Sequence, residues 1–283
     1  MDAGSDDSAQ LKHIAEAIYK SARGQARFRQ SVPMLIRQAI DEVIDAPRTG
    51  RFTIGQLEKT EKTYIGTKVE ILLRKFLGFP KGLLDLVIDG RDVDIKNTVT
   101  GNWMIPLEAW GKICILVGSD EKTALCRVGL LLIREEYLTA GPNRDSKRSI
   151  SAAGMRGVHW LLYDAPYPSN FWERQDPAVV RRILGGRNGT ECVVMLFREL
   201  QRIPISRKVI QTVAPQKDSL KRVRKNGGAR DRLAQSNIVL LSGAYHRDLI
   251  ADLGLAACTR EEFISLQLSS EAEKEIVRKY GLL

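Results

Sequence analysis

Leu84-Asp85-Leu86-Val87-Ile88-Asp89-Gly90-Arg91-Asp92-Val93-Asp94-Ile95-Lys96 is the stretch from which the first half of this chain is read. Two apolar runs flank Asp89-Gly90, a dipeptide favoured in type I′ turns because both central residues need positive φ. A two-residue loop there pairs Ile88 with Arg91, Leu86 with Val93 and Asp85 with Asp94. Residues directly opposed across a ladder share a face, so both carboxylates point the same way. Strand alternation adds Lys96 to that face and turns Val93 and Ile95 to the other. Opposed like charges destabilise a ladder. A divalent cation, a shared proton or a nearby ammonium such as Lys96 would each offset the repulsion. Two oxygen ligands completed by water suit Mg²⁺, which keeps much of its hydration shell and bridges to phosphate oxygens. An isolated Asp-x-Lys on an edge strand is more often a solvated face. The hairpin register, an upstream carboxylate at Glu70 and the following run Asn97 to Pro106 lift this one above that reading.

Glu70, Asp85 and Asp94-Ile95-Lys96 together resemble the active-site signature of PD-(D/E)xK nucleases, and the blocks around them resemble the NaeI-type restriction endonucleases. Those blocks are Arg48-Thr49-Gly50-Arg51, Lys59-Thr60-Glu61-Lys62-Thr63 with Gly66-Thr67, Val69-Glu70-Ile71, Val93 to Lys96, Trp103-Met104, Asn143-Arg144-Asp145, and Lys221-Arg222-Val223-Arg224 with Gly227-Gly228-Ala229-Arg230. They run in order from the Arg48 region to the Gly254 region. Leu84 stands where the motif's name has proline, and the chain beyond Gly254 diverges from the family pattern.

The resemblance implies an α/β fold: a restriction-endonuclease-like mixed central sheet flanked by helices, followed by a smaller winged helix-turn-helix domain. It implies catalysis by Glu70, Asp85, Asp94 and Lys96, with Mg²⁺ held by Asp85, Asp94, the Ile95 carbonyl and Glu70. It further implies a type II, type IIE-like restriction endonuclease. Such an enzyme cuts double-stranded DNA at a GC-rich, GCCGGC-like palindrome, as a homodimer in the bacterial cytosol, and a second DNA copy bound by the C-terminal domain activates it. Two alternatives share the charge pattern or the metal chemistry: a winged-helix DNA-binding regulator with an inactive nuclease core, and a repair or recombination nuclease.

Composition agrees with these readings without choosing among them. A chain of 283 residues with 43% hydrophobic content holds one large or two medium packed domains. A net charge of +10 calls for a polyanionic partner, nucleic acid or an acidic membrane surface. No apolar run reaches transmembrane length, and Met1 to Gln10 is acidic and polar, unlike a signal peptide, so a soluble intracellular protein is expected. Cys114, Cys126, Cys192 and Cys258 form no Cys-x-x-Cys pair, and His13, His159 and His246 are far apart. Neither set suggests a zinc site, and no Ser/His/Asp arrangement or Gly-rich phosphate loop is present.

Periodicity supplies the remaining elements of the first domain. Met1 to Ser8 reads as frayed, Ala9 to Ala22 as a helix, and Met34 to Ile44 as a second helix opened by Pro33. Arg48 to Arg51 reads as a turn and Ile54 to Glu61 as a short helix. Val69 to Phe76 is a helix with Val69, Leu72, Leu73 and Phe76 inward, which on periodicity alone leaves Glu70 a surface residue. Thr60, Lys62 and Thr63 lie just before it, where hydroxyls and ammoniums can fix a phosphate backbone. Lys112 to Val117 and Cys126 to Ile133 are near-continuous apolar strands, the pattern of a sheet buried on both faces. Trp103 and Trp110 both read as core aromatics, Trp110 more strongly, and Asn102 and Trp103 also follow the catalytic strand closely enough to reach DNA. In the polar loop Gly141 to Arg148, Asn143, Arg144, Lys147 and Arg148 carry base-reading chemistry; composition alone allows a solvated basic loop equally well.

Pro166 and Pro168 break periodicity. The expected domains are therefore 1–163, a linker 164–170, and 171–283. In the second domain Asp176 caps a helix beginning at Pro177, Thr190-Glu191 starts Cys192 to Leu200, and Ser206 caps Arg207 to Ala214. Asp218 caps Ser219 to Lys225, which Asn226-Gly227 closes, so two short helices flank a brief turn. Between Gln201 and Arg232 ten cations face two acids, +8 of the chain's +10. Lys217, Lys221, Arg222, Arg224, Lys225 and Arg230 are the DNA-binding candidates, divided between phosphates and a groove. Ile238 to Leu241 and Phe263 to Leu268 are wing strands, and Ser270 to Tyr280 is a terminal helix stopped by Gly281.

Overall fold

The computed structural model describes residues 3–283 apart from 142, 144, 216–218 and 225–226. The chain divides into two compact units. One holds the residues up to Ile44 together with Thr53–Asn170, and the other holds Asp45–Phe52 and Phe171–Leu283. The expected linker begins inside a strand of the first unit, and a short N-terminal stretch belongs to the second.

The first unit opens with helices α1 (Ala3–Ser21) and α2 (Gln25–Ile44), after which the one-turn helix α3 (Ala46–Thr49) visits the second unit. Then come α4 (Lys59–Leu77), the hairpin β1 (Leu86–Ile88) and β2 (Arg91–Thr98), β3 (Met104–Ile105), β4 (Ile113–Asp120), β5 (Leu125–Leu132), β6 (Arg148–Ser149), α5 (Ala152–Arg156) and β7 (His159–Pro166). Five strands form a mixed sheet in the order β1-β2-β4-β5-β7, with β2 and β4 parallel and the other pairs antiparallel. β4 is buried from Ile113 through Ser119, as its unbroken apolar run predicts for a strand covered on both faces. The result is the expected α/β architecture of a mixed central sheet with helices.

Four local expectations give way to tertiary packing. The acidic N-terminus does not fray through Ser8, because Asp7 is buried in α1 and its carboxylate pairs with the Arg134 guanidinium. Pro33 does not open α2 but lies inside it. A prolyl residue there costs roughly 3 kcal/mol, yet it lets Phe28 and Val32 continue the buried stripe of Ile36 and Ile40, each contributing about 1.5–3 kcal/mol. The Ile54 to Glu61 segment is a single 3₁₀ turn at Ile54–Gln56; Glu58 and Glu61 then form a capping box that starts α4 ten residues before Val69. Trp103 turns into the core rather than toward DNA, and Trp110 packs against the same core from its edge. Trp103 is 2% exposed and donates its indole N–H to the Val117 carbonyl at 2.9 Å, whereas Trp110 is half-buried beneath the Arg148 guanidinium. Gly118 makes room for Trp103, since a Cβ there would stand 2.9 Å from its ring.

The second unit continues with α6 (Pro177–Leu184), α7 (Gly189–Glu199), β8 (Ile205–Ser206), α8 (Arg207–Val213), α9 (Ala229–Ala234), β9 (Ile238–Ser242), α10 (Arg247–Asp252), β10 (Glu262–Gln267) and α11 (Glu271–Lys279). Its antiparallel sheet has the order β8-β10-β9, and Phe197, Ile205, Ile210 and Leu233 lie in its core. Asp176, Ser206 and Ser270 cap α6, α8 and α11 as expected. α7 begins earlier than expected because the Asn188 side chain, not Thr190, accepts its first amides. The Ser219 to Lys225 helix is instead a 3₁₀ stretch at Ser219–Val223, and its expected cap Asp218 lies outside the described residues. The next α-helix, α9, starts after Gly227-Gly228.

Candidate active site

The hairpin has the predicted register: Leu86 pairs with Val93, Val87 with Asp92 and Ile88 with Arg91. Asp89 and Gly90 have φ of 47° and 75°, the left-handed conformations a type I′ turn requires. β1 begins at Leu86, so its backbone ladder stops one residue after Asp85. The Asp85 side chain takes over there, its Oδ2 accepting the Ile95 N–H at 2.8 Å, and Asp94 Oδ1 accepts the same N–H at 3.0 Å.

Asp94 is 3% exposed, and Lys96 Nζ lies 2.7 Å from its Oδ2. Apart from this ion pair, Oδ2 has no partner among the described residues. Burial pushes the Asp94 carboxyl up to about 6; Lys96 opposes the rise and Asp85 adds to it. Glu70, half-buried on α4, is lifted by burial to about 7; Asp85 and Asp94 add to the rise, while Lys96 and Arg74 pull it back. Burial works against the Lys96 ammonium, yet its contact with Asp94 carries it above the ordinary lysine range. Beneath them Cys114, opposite Asp94 on β4, is a buried thiol whose pKa burial raises strongly.

The chain therefore gathers Glu70, Asp85, Asp94 and Lys96, as the sequence predicts, and brings Glu70 inward where periodicity alone left it at the surface. Three carboxylates around one ammonium leave excess negative charge in a poorly solvated place. Among the described residues no group of three or more His, Cys, Asp or Glu side chains is placed to hold a metal ion. Even so, the buried Asp94 carboxylate, met by the Lys96 ammonium alone at Oδ2 among the described residues, and the raised acids have the oxygen-donor chemistry of a hard divalent cation completed by water.

The profile of the family described as Restriction endonuclease NaeI matches residues 15–276. A Type II restriction enzyme NaeI from Lentzea aerocolonigenes is 34% identical over 244 residues, covering 83% of this chain and 77% of that protein. The chain belongs to the NaeI restriction endonuclease family.

The described candidate DNA-contact residues of this NaeI-family chain differ in exposure and in the contacts seen for them. Thr60, Lys62 and Thr63 are exposed on the first turns of α4, with Thr63 Oγ1 donating to the Lys59 carbonyl at 3.1 Å. Asn102 is exposed. Asn143 Oδ1 is occupied within its loop, accepting the Asp145 and Lys147 amides at 2.9 Å each. Arg148 is held by Glu135 at 3.1 Å and by the Thr139 carbonyl. In the second unit Lys221 and Arg224 are exposed, whereas Arg222 reaches Thr190 Oγ1 at 3.3 Å. Arg144, Lys217 and Lys225 lie outside the described residues.

A basic cavity of about 720 Å³ in the second unit escaped the sequence reading; Arg207, Arg224, Arg230, Arg260 and Tyr245 line it. Arg230 Nε is buried with no hydrogen-bond partner among the described residues, and burial lowers the pKa of its guanidinium. Arg207 is paired with Glu261 at 2.9 Å. Arg260 and Tyr245 lie beyond the cation-rich run from Gln201 to Arg232, so charge clustering could not find them.

Proposed function

We propose that this protein is a Mg²⁺-dependent type II restriction endonuclease that hydrolyses double-stranded DNA at a GC-rich, GCCGGC-like palindrome. The observation that carries this reading is the convergence of Asp85 and Asp94 on one amide, with Lys96 2.7 Å from Asp94. Asp85 and Asp94 hold the metal, the Ile95 carbonyl adds a ligand, and Glu70 completes the acidic cluster directly or through water. When bound, Mg²⁺ would supply Lewis acidity toward the scissile phosphate and acidify the attacking water. Lys96 orients the attacking water and stabilises charge on the phosphate as it becomes pentavalent. Thr60, Lys62, Thr63 and Asn102 fix the backbone, and the Asn143 to Arg148 loop reads bases, with Arg148 also bracing that loop.

The palindromic target goes with a homodimer, in which each protomer cuts one strand. The second unit is a winged helix-turn-helix module that binds another DNA copy and activates cleavage, and the element order α7-β8-α8-α9-β9-α10-β10 with sheet order β8-β10-β9 supports that assignment. Lys217, Lys221, Arg222, Arg224, Lys225 and Arg230 contribute its cationic surface. Its location is the cytoplasm of a bacterium; no described helix is long and apolar enough to cross a membrane.

Incubating the protein with plasmid and phage DNA in Mg²⁺, with an EDTA control and end-sequencing of fragments, tests the reading. Discrete Mg²⁺-dependent fragments sharing one sequence are expected. DNA left intact by protein that still retards duplex migration would favour a winged-helix regulator.

A further inference from the structure

Two residues before Asp85, Leu83 is 94% exposed, more than any other large hydrophobic side chain described. Single exposed apolar residues are common on protein surfaces and ordinarily carry no meaning. The loop that displays Leu83 is, however, held from several sides. The Leu83 N–H donates to Asp92 Oδ1 at 2.9 Å, and the Val87 N–H donates to the Pro80 carbonyl at 2.9 Å. Gly82 packs so closely that a Cβ there would stand 2.1 Å from Asp92 Oδ1 and 2.8 Å from Val87 Cγ2. On the other side, Asp85 is tied to Ile95 through its carboxylate. An ordered loop thus holds a leucine in water, gaining none of the burial energy that would offset fixing it.

We propose that Leu83 is a DNA-contact residue, packing its side chain against the bases beside the scissile phosphate. The inference rests on the nuclease reading above. If Asp85 serves the reacting phosphate, a residue two positions away is within about 7 Å of it along the backbone, which is within one nucleotide step. Exposed Lys81 in the same loop supplies a cation for the adjoining backbone. An apolar side chain pressed against a base step is a recurrent means of opening or bending a duplex. Asp92 and Gly82 act here as positioning residues, since they hold the loop and do not themselves reach the substrate.

The test compares wild type with Leu83→Ser and Leu83→Met on a duplex bearing the wild-type cleavage sequence, with 2-aminopurine beside the cut. Leu83→Ser should leave the melting temperature, sedimentation coefficient and salt dependence of binding unchanged. It should lower kcat/KM by roughly tenfold or more and abolish the 2-aminopurine fluorescence rise on binding, and Leu83→Met should restore most of both. Wild-type cleavage and fluorescence in Leu83→Ser would overturn the inference while leaving the nuclease reading intact. A loss of dimer in that variant would also overturn it, because Leu83 would then cover a second copy of the chain. A wild-type protein that cuts no DNA would remove the nuclease reading and this inference together.

Discussion

Asp85 and Asp94 accept the same backbone N–H, that of Ile95, at 2.8 and 3.0 Å. One donor between two carboxylates halves the hydrogen bonding each could have, so the pair is held together in geometry and left undercompensated in charge. Lys96, on the same strand face as Asp94, supplies part of the missing positive charge. The arrangement suits a site whose remaining compensation arrives with substrate and metal.

Removing a member of this set should therefore separate cutting from binding. Asp94→Ala and Lys96→Ala should each lower Mg²⁺-dependent cleavage by about a hundredfold or more, while a mobility-shift assay with specific duplex shows affinity within a few-fold of wild type. Normal cleavage rates in either variant would falsify the catalytic assignment.

The raised acids predict a pH-dependent stability of definite sign. Asp94 rises from 3.8 to about 6 and Glu70 from 4.5 to about 7, so the folded chain binds more protons than the unfolded chain in that range. Stability should fall as pH rises from about 4 to about 7, by on the order of 1 kcal/mol for each group after solvent screening. Glu70→Gln should flatten the trend. Mg²⁺ competes with protons for these oxygens, so it should raise the melting temperature more at pH 8 than at pH 5. Thermal melts across pH, with and without Mg²⁺, would expose the opposite slope if the assignment were wrong.

A second buried charge cluster is structural. Arg37 is 6% exposed and donates to both oxygens of Glu121 at 2.9 Å, with Asp41 a further 2.8 Å contact. The Tyr167 hydroxyl donates to the same glutamate, joining α2, the β4–β5 turn and the chain after β7. Breaking one partner strands the other in a dry place, at a cost of about 3–5 kcal/mol. Glu121→Gln should lower stability by an amount near that range in urea unfolding, and an unchanged midpoint would show the cluster to be dispensable.

How much of this could be read in advance depended on whether the determining interactions were local. Asp89-Gly90 specifies its own turn, the turn specifies the register, and the register brings Asp85 and Asp94 together; each step spans a few residues. Glu70 was different, because its helical periodicity points away from the apolar stripe and only the packing of α4 against β2 brings it inward. The full burial of Trp103 likewise depended on Gly118, a position with no meaning until β4 is paired. In the second unit, caps such as Ser206 and Ser270 were legible, but the Ser219 segment was not. Its charges read equally well as an α-helix or a 3₁₀ turn, and the Gly227-Gly228 break moves the following helix downstream. Of the cavity residues, Arg207 and Arg260 are brought together by the pairing of β8 with β10, and Arg230 joins them from α9.

That cavity yields the last prediction. Arg230 and Arg260 make no ion pair among the described residues, and Arg230 has a buried, unsatisfied Nε. A guanidinium so placed is stabilised by an incoming anion, and a DNA phosphate brings two acceptor oxygens in matching geometry. If the second unit binds an activating duplex, Arg230→Ala and Arg260→Ala should remove the stimulation of single-site cleavage by added specific oligonucleotide. Basal cleavage should stay within about twofold, and the salt slope of activation should fall by about one phosphate per variant. Retained stimulation in both variants would assign the activating surface elsewhere, to exposed cations outside the cavity such as Lys221. Equal loss of basal and stimulated cleavage would instead mean that the second unit is needed to fold or dock the enzyme, since a purely activating contact has no effect on the unstimulated rate.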